Sequence, residues 1–240
     1  MDPISTKAIV LSSLKYADAD LIVKCFTENH GLKSYLLRNI LASKKGKLRV
    51  SMFQPMTQLE IVALHKDNRD LHYIREAKTT YPYKSIPTQV DKSSIAIFLA
   101  ETLRNSIQEE EANPRLFDFL EKSLFWLDEH CQVVNFHLLF LVKLSRFLGF
   151  YPHEHRPGED YFNLLEGVFQ NTSTNEYCLK GENVPLLKQL LTMDFDDLAS
   201  LHLHQSQRIF FLESMMLYYE LHLQGFRKPK SLEVLNEVFS

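Results

Sequence analysis

The chain has 240 residues, 45% of them hydrophobic, enough to bury one large core or two smaller ones. Three cysteines, Cys25, Cys131 and Cys178, are odd in number and far apart, which argues against a disulfide framework and for a reducing cytoplasm. Met1-Asp2-Pro3 lacks a secretory start, and the richest apolar stretch, 133–150, is broken by Asn135, His137, Lys143 and Arg146, so a soluble protein without a membrane span is expected.

The net charge of −3 conceals a division. Residues 1–87 carry 14 Lys and Arg against 8 Asp and Glu, a local +6, whereas residues 88–240 carry 13 against 22, a local −9. A basic half suits a polyanion, because neutralised phosphates release condensed counterions and that release drives sequence-independent binding. Ordinary surface charge is the plainer account, so the pattern alone leaves both open.

In chain order, short β-branched and aromatic runs at 7–14, 21–27, 32–38, 57–64 and 71–78 predict five strands. Leu21, Val23 and Cys25 alternate with Ile22, Lys24 and Phe26, so one face of the second strand is buried. Glu28-Asn29-His30-Gly31 reads as a hairpin link, with Gly31 free to take a positive φ. Five antiparallel strands in about 80 residues suggest a small barrel of the OB type, with a sandwich or an SH3-like barrel as alternatives.

After Pro82 and Pro87 the period changes. Ile95, Phe98, Leu99, Thr102, Leu103 and Ile107 form a helical stripe over 91–108, and Asn113-Pro114 caps a second helix running to about residue 130. A third helix, 133–148, is apolar nearly all round and closes at Gly149. Further helices are expected at 184–191, 195–201, 207–223 and 231–239. Residues 151–181 lack a helical period and should be loop with a short hairpin between Tyr161 and Tyr177. The expected class is α+β, with a nucleic-acid-binding barrel at 1–84 and a helical bundle at 85–240 interrupted by a loop insertion at about 151–181.

Between the third and fourth strands, Lys44, Lys45, Lys47 and Arg49 place four cations in six residues around Gly46, a loop suited to phosphate contact without base reading. Arg38, Lys24, Lys33, Arg69 and Arg75 would extend the patch. Tyr35 and Phe53 could offer stacking faces, although core packing is the commoner fate of strand aromatics. Phosphate-loop, dinucleotide, zinc-protease, nucleophile-elbow and calcium-loop spacings are all absent. Asp194, Asp196 and Asp197 lie at a helix start, where acids suit the dipole, and Asp18 with Asp20 belongs to a turn. His153, His155 and Cys178 fall short of the four ligands of a structural zinc site. His202, His204 and His222 fit packing or partner contact, and Cys25 and Cys131 fit core or cap positions. Arg227, Lys228 and Lys230 form a second basic cluster, suited to an acidic peptide or simply to a polar linker.

Together these segments resemble the bacterial RecO family of recombination mediators. The resemblance rests on Thr6-Lys7-Ala8-Ile9-Val10-Leu11, Tyr16-Ala17-Asp18-Ala19-Asp20-Leu21, Thr27, Gly31, Lys44-Lys45, Gln54-Pro55 and Leu59-Glu60. In the helical half it continues with Leu144-Ser145-Arg146-Phe147-Leu148-Gly149-Phe150-Tyr151-Pro152 and with Tyr219-Glu220-Leu221-His222-Leu223-Gln224-Gly225, then Lys228 and Lys230-Ser231. Many relatives carry two CxxC pairs after the Pro152 region, whereas this chain has Cys178 alone, so the resemblance implies a degenerate, metal-free form of the family's zinc-ribbon-like insertion. It further implies a non-enzymatic mediator of DNA repair and homologous recombination in the bacterial cytoplasm, associated with the nucleoid. Such a protein binds single- and double-stranded DNA, anneals complementary strands and, with RecR, loads RecA onto DNA covered by single-strand-binding protein. Lys44, Lys45, Lys47 and Arg49, then Arg38 and Lys7, are the expected phosphate contacts. Arg227, Lys228 and Lys230 are the expected seat for the acidic tail of the single-strand-binding protein. No cofactor, metal ligand or catalytic residue is expected. Two other readings stand beside it: an RNA-binding or scaffold OB protein with a helical interaction domain, and a hydrolase built on Asp194, Asp196, Asp197 and His202.

Overall fold

A computed structural model describes residues 3–42, 47–65, 69–107, 111–153 and 155–239. Five strands, β1 (Ile4–Tyr16), β2 (Asp20–Thr27), β3 (Gly31–Leu37), β4 (Gln58–Leu64) and β5 (Leu71–Thr79), close into a barrel of order β1-β2-β3-β5-β4. The thirteen-residue β1 serves two partners: its first half pairs with β4 and its second half with β2, with an irregularity of register between Val10 and Ser12. All pairings are antiparallel except β3 with β5, which run parallel through Ser34↔Leu71 and Tyr35↔His72. This is the OB arrangement and replaces the sandwich and SH3-like alternatives.

The alternation expected of β2 holds: Leu21, Val23 and Cys25 enter the barrel core with Ala8, Val10, Leu37, Leu59, Ile61 and Ile74. Burial pushes the Cys25 thiol up to about 12, so it is an inert core group. Gly31 takes φ +63 at the β2–β3 link, and the Thr27 hydroxyl completes the turn by donating to the Gly31 carbonyl (2.8 Å) and accepting from the His30 N–H (3.2 Å). Tyr35 and Phe53 are both fully buried in this core. Core packing, the commoner reading, is thus the outcome for both, and neither offers a stacking face: Tyr35 lies on the inward parity of β3, and the 3-10 turn carries Phe53 into the core.

The chain divides into two compact units, Met1–Asp128 and Glu129–Ser240. The first contains the barrel with α1 (Val90–Ser106), which packs on β1, and α2 (Pro114–Glu129), whose Phe117 meets Phe26 at 6.2 Å between ring centroids. Asn113 caps α2 as its sequence position predicts, its Oδ1 accepting from the Leu116 N–H at 3.0 Å. The segment leaving the barrel is clamped by one carboxylate. Asp128, 3% exposed, accepts from the N–H groups of Lys84, Ser85 and Ile86 at 2.8–2.9 Å and from the Ser85 hydroxyl. Burial raises its pKa, but those donors outweigh burial and hold the carboxyl below its usual range. The buried Lys92 ammonium of α1 closes the arrangement, donating to Ser85 Oγ at 2.7 Å and to the Asp128 carbonyl at 2.9 Å.

In the second unit α3 (Phe136–Phe147) is buried on nearly every side and packs on α4 (Asn183–Thr192) and α5 (Gln205–His222). The Tyr219 hydroxyl donates to the Leu141 carbonyl at 2.8 Å. Residues 161–179 form a sheet of three short strands, β6 (Tyr161–Asn163), β7 (Val168–Gln170) and β8 (Cys178–Leu179), in the order β7-β6-β8. The expected hairpin is present, and Cys178 and Leu179 add a third strand. Phe162 ties the sheet to α5 by packing against Phe169 and Tyr218. Gly167 (φ +68) lets the chain pass close to α5, since a Cβ there would lie 2.9 Å from the Tyr218 hydroxyl. Asp194 and Asp197 cap the 3-10 helix Phe195–Ser200 reciprocally, with the Asp194 N–H donating to Asp197 Oδ2 at 2.9 Å, which accounts for these acids without a catalytic site. Cys131, expected at a core or cap position, is exposed in the link that follows α2. The short α6 (Ser231–Val238) ends the described chain. Among the described residues no helix is long and apolar enough to cross a membrane.

Two stability measurements probe this account. Asp128→Ala strands the N–H donors of Lys84, Ser85 and Ile86, the last of them buried, and should cost about 3 kcal/mol in urea unfolding, whereas an exposed control such as Asp118→Ala should change little. His137, fully buried in α3, has its pKa pushed from 6.5 to about 3 by burial and by the nearby Arg208. The unfolded ring protonates near 6.5 and the folded ring does not until about 3, so its contribution is complete above the unfolded value and is lost as pH falls through that window. The slope is about 1.4 kcal/mol per pH unit. Urea titrations at pH 7 and pH 5 should show a smaller pH dependence for His137→Phe than for the parent chain.

Candidate nucleic-acid interface

The basic loop between β3 and β4 is tethered at both ends. At its start Asn39 adopts φ +56 and donates its N–H to Asp20 Oδ1 at 2.7 Å, while the Leu41 N–H bonds the Ala19 carbonyl at 2.9 Å. Asp20 thus acts structurally, holding the β1–β2 turn against the loop. Ile40 is buried beside this anchor, and the return is fixed by the 3-10 turn Val50–Phe53, whose Phe53 lies in the core.

Lys44 and Lys45, with Ser43 and Gly46, lie outside the described residues. The remaining expected contacts separate into groups. Arg38 and Lys47 line one cleft of roughly 370 Å³ with Arg75 and Tyr73. The Arg38 guanidinium carbon stands 5.6 Å from the Tyr73 ring centroid, and the same side chain donates weakly to the Tyr73 hydroxyl at 3.4 Å. Lys47 Nζ lies 3.1 Å from Glu76 Oε1, both largely solvent-exposed, a pair that salt and a competing phosphate can open at little cost. Arg49 is exposed at the start of the 3-10 turn.

Lys7 belongs to a different cleft. Its ammonium reaches both carboxylate oxygens of Glu121 at 3.0 and 3.1 Å, beside Tyr81, Phe125 and Trp126, and that bond raises its pKa. The cation is already matched by an anion, and the structure does not bring it to the Arg38 cleft. Tyr73 is the functional candidate missed in the sequence. Its signal was the alternation of β5, where His72 and Ile74 are buried and Tyr73 and Arg75 must face outward.

In the second unit Lys228 stands 3.6 Å from both Glu213 and Glu220 of α5, so its charge is shared between two carboxylates, while Arg227 and Lys230 are exposed. His153, His155 and Cys178 do not converge. His155 meets the edge of Phe169, the His153 N–H bonds the Gly167 carbonyl at 3.1 Å, and Cys178 Sγ accepts from Gln170 Nε2 at 3.2 Å. Among the described residues no group of three His, Cys, Asp or Glu side chains is placed to hold a metal ion. His222 is a packing residue, stacked on Phe150 and bonded through Nε2 to the Leu164 carbonyl at 2.8 Å; His202 and His204 are exposed.

An OB barrel with a basic, aromatic-sided cleft, continued by a helical unit, is the class that fold and site define. Two family descriptions cover nearly the whole chain: Recombination protein O N terminal matches residues 1–83 and Recombination protein O C terminal matches residues 87–233. DNA repair protein RecO of Christiangramia forsetii is 52% identical over 236 residues, covering 98% of this chain and 99% of that protein. The RecO proteins of Flavobacterium psychrophilum and Bacteroides fragilis are 45% and 39% identical, each aligned over at least 98% of both chains. The chain belongs to the RecO family of DNA repair proteins.

The loop anchor yields a direct test. Asp20→Ala should cost about 1 kcal/mol of stability and should speed amide hydrogen exchange at Asn39 and Leu41 more than at Val23 or Tyr35.

Proposed function

We propose that this chain is a recombination mediator that binds single- and double-stranded DNA through its barrel and promotes annealing of complementary strands. With RecR, it would load RecA onto DNA covered by single-strand-binding protein. The observation that carries the reading is the cleft in which Arg38, Lys47 and Arg75 surround Tyr73 beside the tethered loop. Cations that need not read bases supply affinity through counterion release, and an aromatic face accepts any base. Annealing requires screening of two like-charged strands while their bases stay free to pair. That chemistry needs neither a nucleophile nor a metal.

In this reading residues 1–84 bind nucleic acid and residues 85–240 meet protein partners in the cytoplasm, at the nucleoid. Lys44, Lys45, Lys47, Arg49 and Arg38 are the phosphate contacts. Lys7 ranks last, because phosphate would have to displace Glu121 from it. Arg227 and Lys230, with Lys228 once released from Glu213 and Glu220, would receive the acidic tail of the single-strand-binding protein.

Charge reversal at Arg38, Lys47 and Arg75 together should abolish strand annealing, with and without single-strand-binding protein. It should also flatten the slope of log affinity against log salt for single-stranded DNA by about 0.7 for each phosphate that is no longer neutralised. Unchanged annealing in the triple variant refutes the cleft. Tighter binding of RNA than of DNA of matched length in competition favours an RNA-binding role instead.

A further inference from the structure

A second basic cleft, again of roughly 370 Å³, lies at the opposite end of the β3–β5 junction, and the residues around it come from four elements or their flanks. Lys24 stands on β2, Lys33 on β3, Arg69 and Asp70 just before β5, and Arg104 in the last turn of α1. Lys24, Arg69 and Arg104 line it with one carboxylate, while Lys33 shares the inward parity of Tyr35 and Leu37 at the barrel end. The parallel register fixes how the two clefts relate. With Ser34 opposite Leu71 and Tyr35 opposite His72, residues 33–34 lie beside 70–71, and a few residues farther along 36–38 lie beside 73–75. Ser34, Leu36 and Arg38 share the outer parity of β3, as Leu71, Tyr73 and Arg75 share that of β5, while Tyr35, Leu37, His72 and Ile74 are buried. The clefts are therefore the two ends of one strip, separated by about four strand residues or roughly 13 Å. Between them the strip offers Leu36 and Tyr73, neither fully buried, rather than charge.

We propose that a single DNA strand lies along the outer β3–β5 junction, with backbone phosphates seated at both ends, in the Lys24–Arg69–Arg104 cleft and in the Arg38–Arg75 cleft. The inference rests on the DNA-binding reading above and extends it to a path and to residues in a helix that follows the barrel. Arg104 makes the first cleft a joint property of barrel and α1, which fold in one compact unit. A strip with cations at its ends and an apolar, aromatic middle matches the alternation of phosphate and base along an extended strand. An acidic peptide would match the cations but has no need of the interval between them.

The test uses the full chain and a labelled oligothymidylate of about 16 nucleotides, the upper site size of one OB fold. Arg69→Gln with Arg104→Gln should weaken binding and lower the log–log salt slope by about 1.4, two phosphates at about 0.7 each. Arg69→Lys with Arg104→Lys, which keeps both charges, should retain the parent slope and so separates removal of charge from damage to the fold. If the Gln pair keeps the parent slope while Arg38→Glu with Arg75→Glu lowers it, the extended path is overturned and the DNA-binding reading stands. If neither pair changes the slope, both fail. Polyglutamate binding as tight as the oligonucleotide at matched charge would assign the cleft to an acidic protein and overturn the proposal.

Discussion

The barrel depends on its one parallel join. Four antiparallel pairings run along most of their strands, but β3 and β5 meet through only two registered pairs, and without them the sheet would present two open edges. What the join lacks in hydrogen bonds is supplied from within the barrel. The Tyr35 hydroxyl and His65 Nε2 share a hydrogen bond of 3.0 Å, and His65 packs on His72 and His30 with ring centroids 4.6 and 4.8 Å apart. Burial above all, with His72, His30 and Lys33 adding to it, lowers the His65 pKa to about 4, so the group closing the join is neutral. The cations gather on the outside of this same join. A short parallel contact leaves concave ground on either side of it, and both basic clefts occupy that ground.

The second constraint is the Asp128 clamp. It turns the chain leaving β5 into α1 by giving three consecutive N–H groups one acceptor, and it aligns α2 with that turn at the same time. The position of Arg104 follows, since α1 begins immediately after the clamped segment and carries Arg104 in its last turn. Charge follows the same geometry. The first unit as a whole holds 18 Lys and Arg against 16 Asp and Glu, so the excess of the barrel segment is offset by acids on α1, α2 and the link between them. Glu121 matches Lys7 in this way. Several of the first unit's cations, Arg38, Lys47 and Arg75 in one cleft and Lys24, Arg69 and Arg104 in the other, lie about the β3–β5 junction.

Much of this was legible in the chain. Alternation in β2, the Gly31 turn, the Asn113-Pro114 cap and the all-round apolar α3 each follow from local pattern, and each stands where that pattern predicts. Three kinds of feature were not legible. Tyr35 and Phe53 left a stacking face open beside the commoner core reading, because an aromatic reveals its side only once barrel closure fixes which way it points. The clamp of Asp128 and Lys92 left no signal in the sequence, since nothing local marks a carboxylate whose partners lie more than 40 residues earlier. Lys7 was expected to contact phosphate, because its partner Glu121 is 114 positions away and leaves no local sign. Local periodicity is carried by neighbours in sequence, while the pairing of a charge is decided by neighbours in space.

That distinction bears on how such a surface can work. A lysine with a buried or bidentate anion beside it contributes little to a polyanion, because the phosphate must first displace a carboxylate already well placed. An exposed pair such as Lys47 with Glu76 exchanges partners cheaply, and an arginine over a tyrosine keeps its charge while the ring holds its stem in place. The face around Tyr73 is built from the second and third kinds of contact. Under the proposed function it would grip a backbone firmly enough to collect strands and loosely enough, through many screened contacts, to let them slide into register. A surface of tightly matched or deeply buried cations would hold one strand and lose the mobility that pairing of two strands requires.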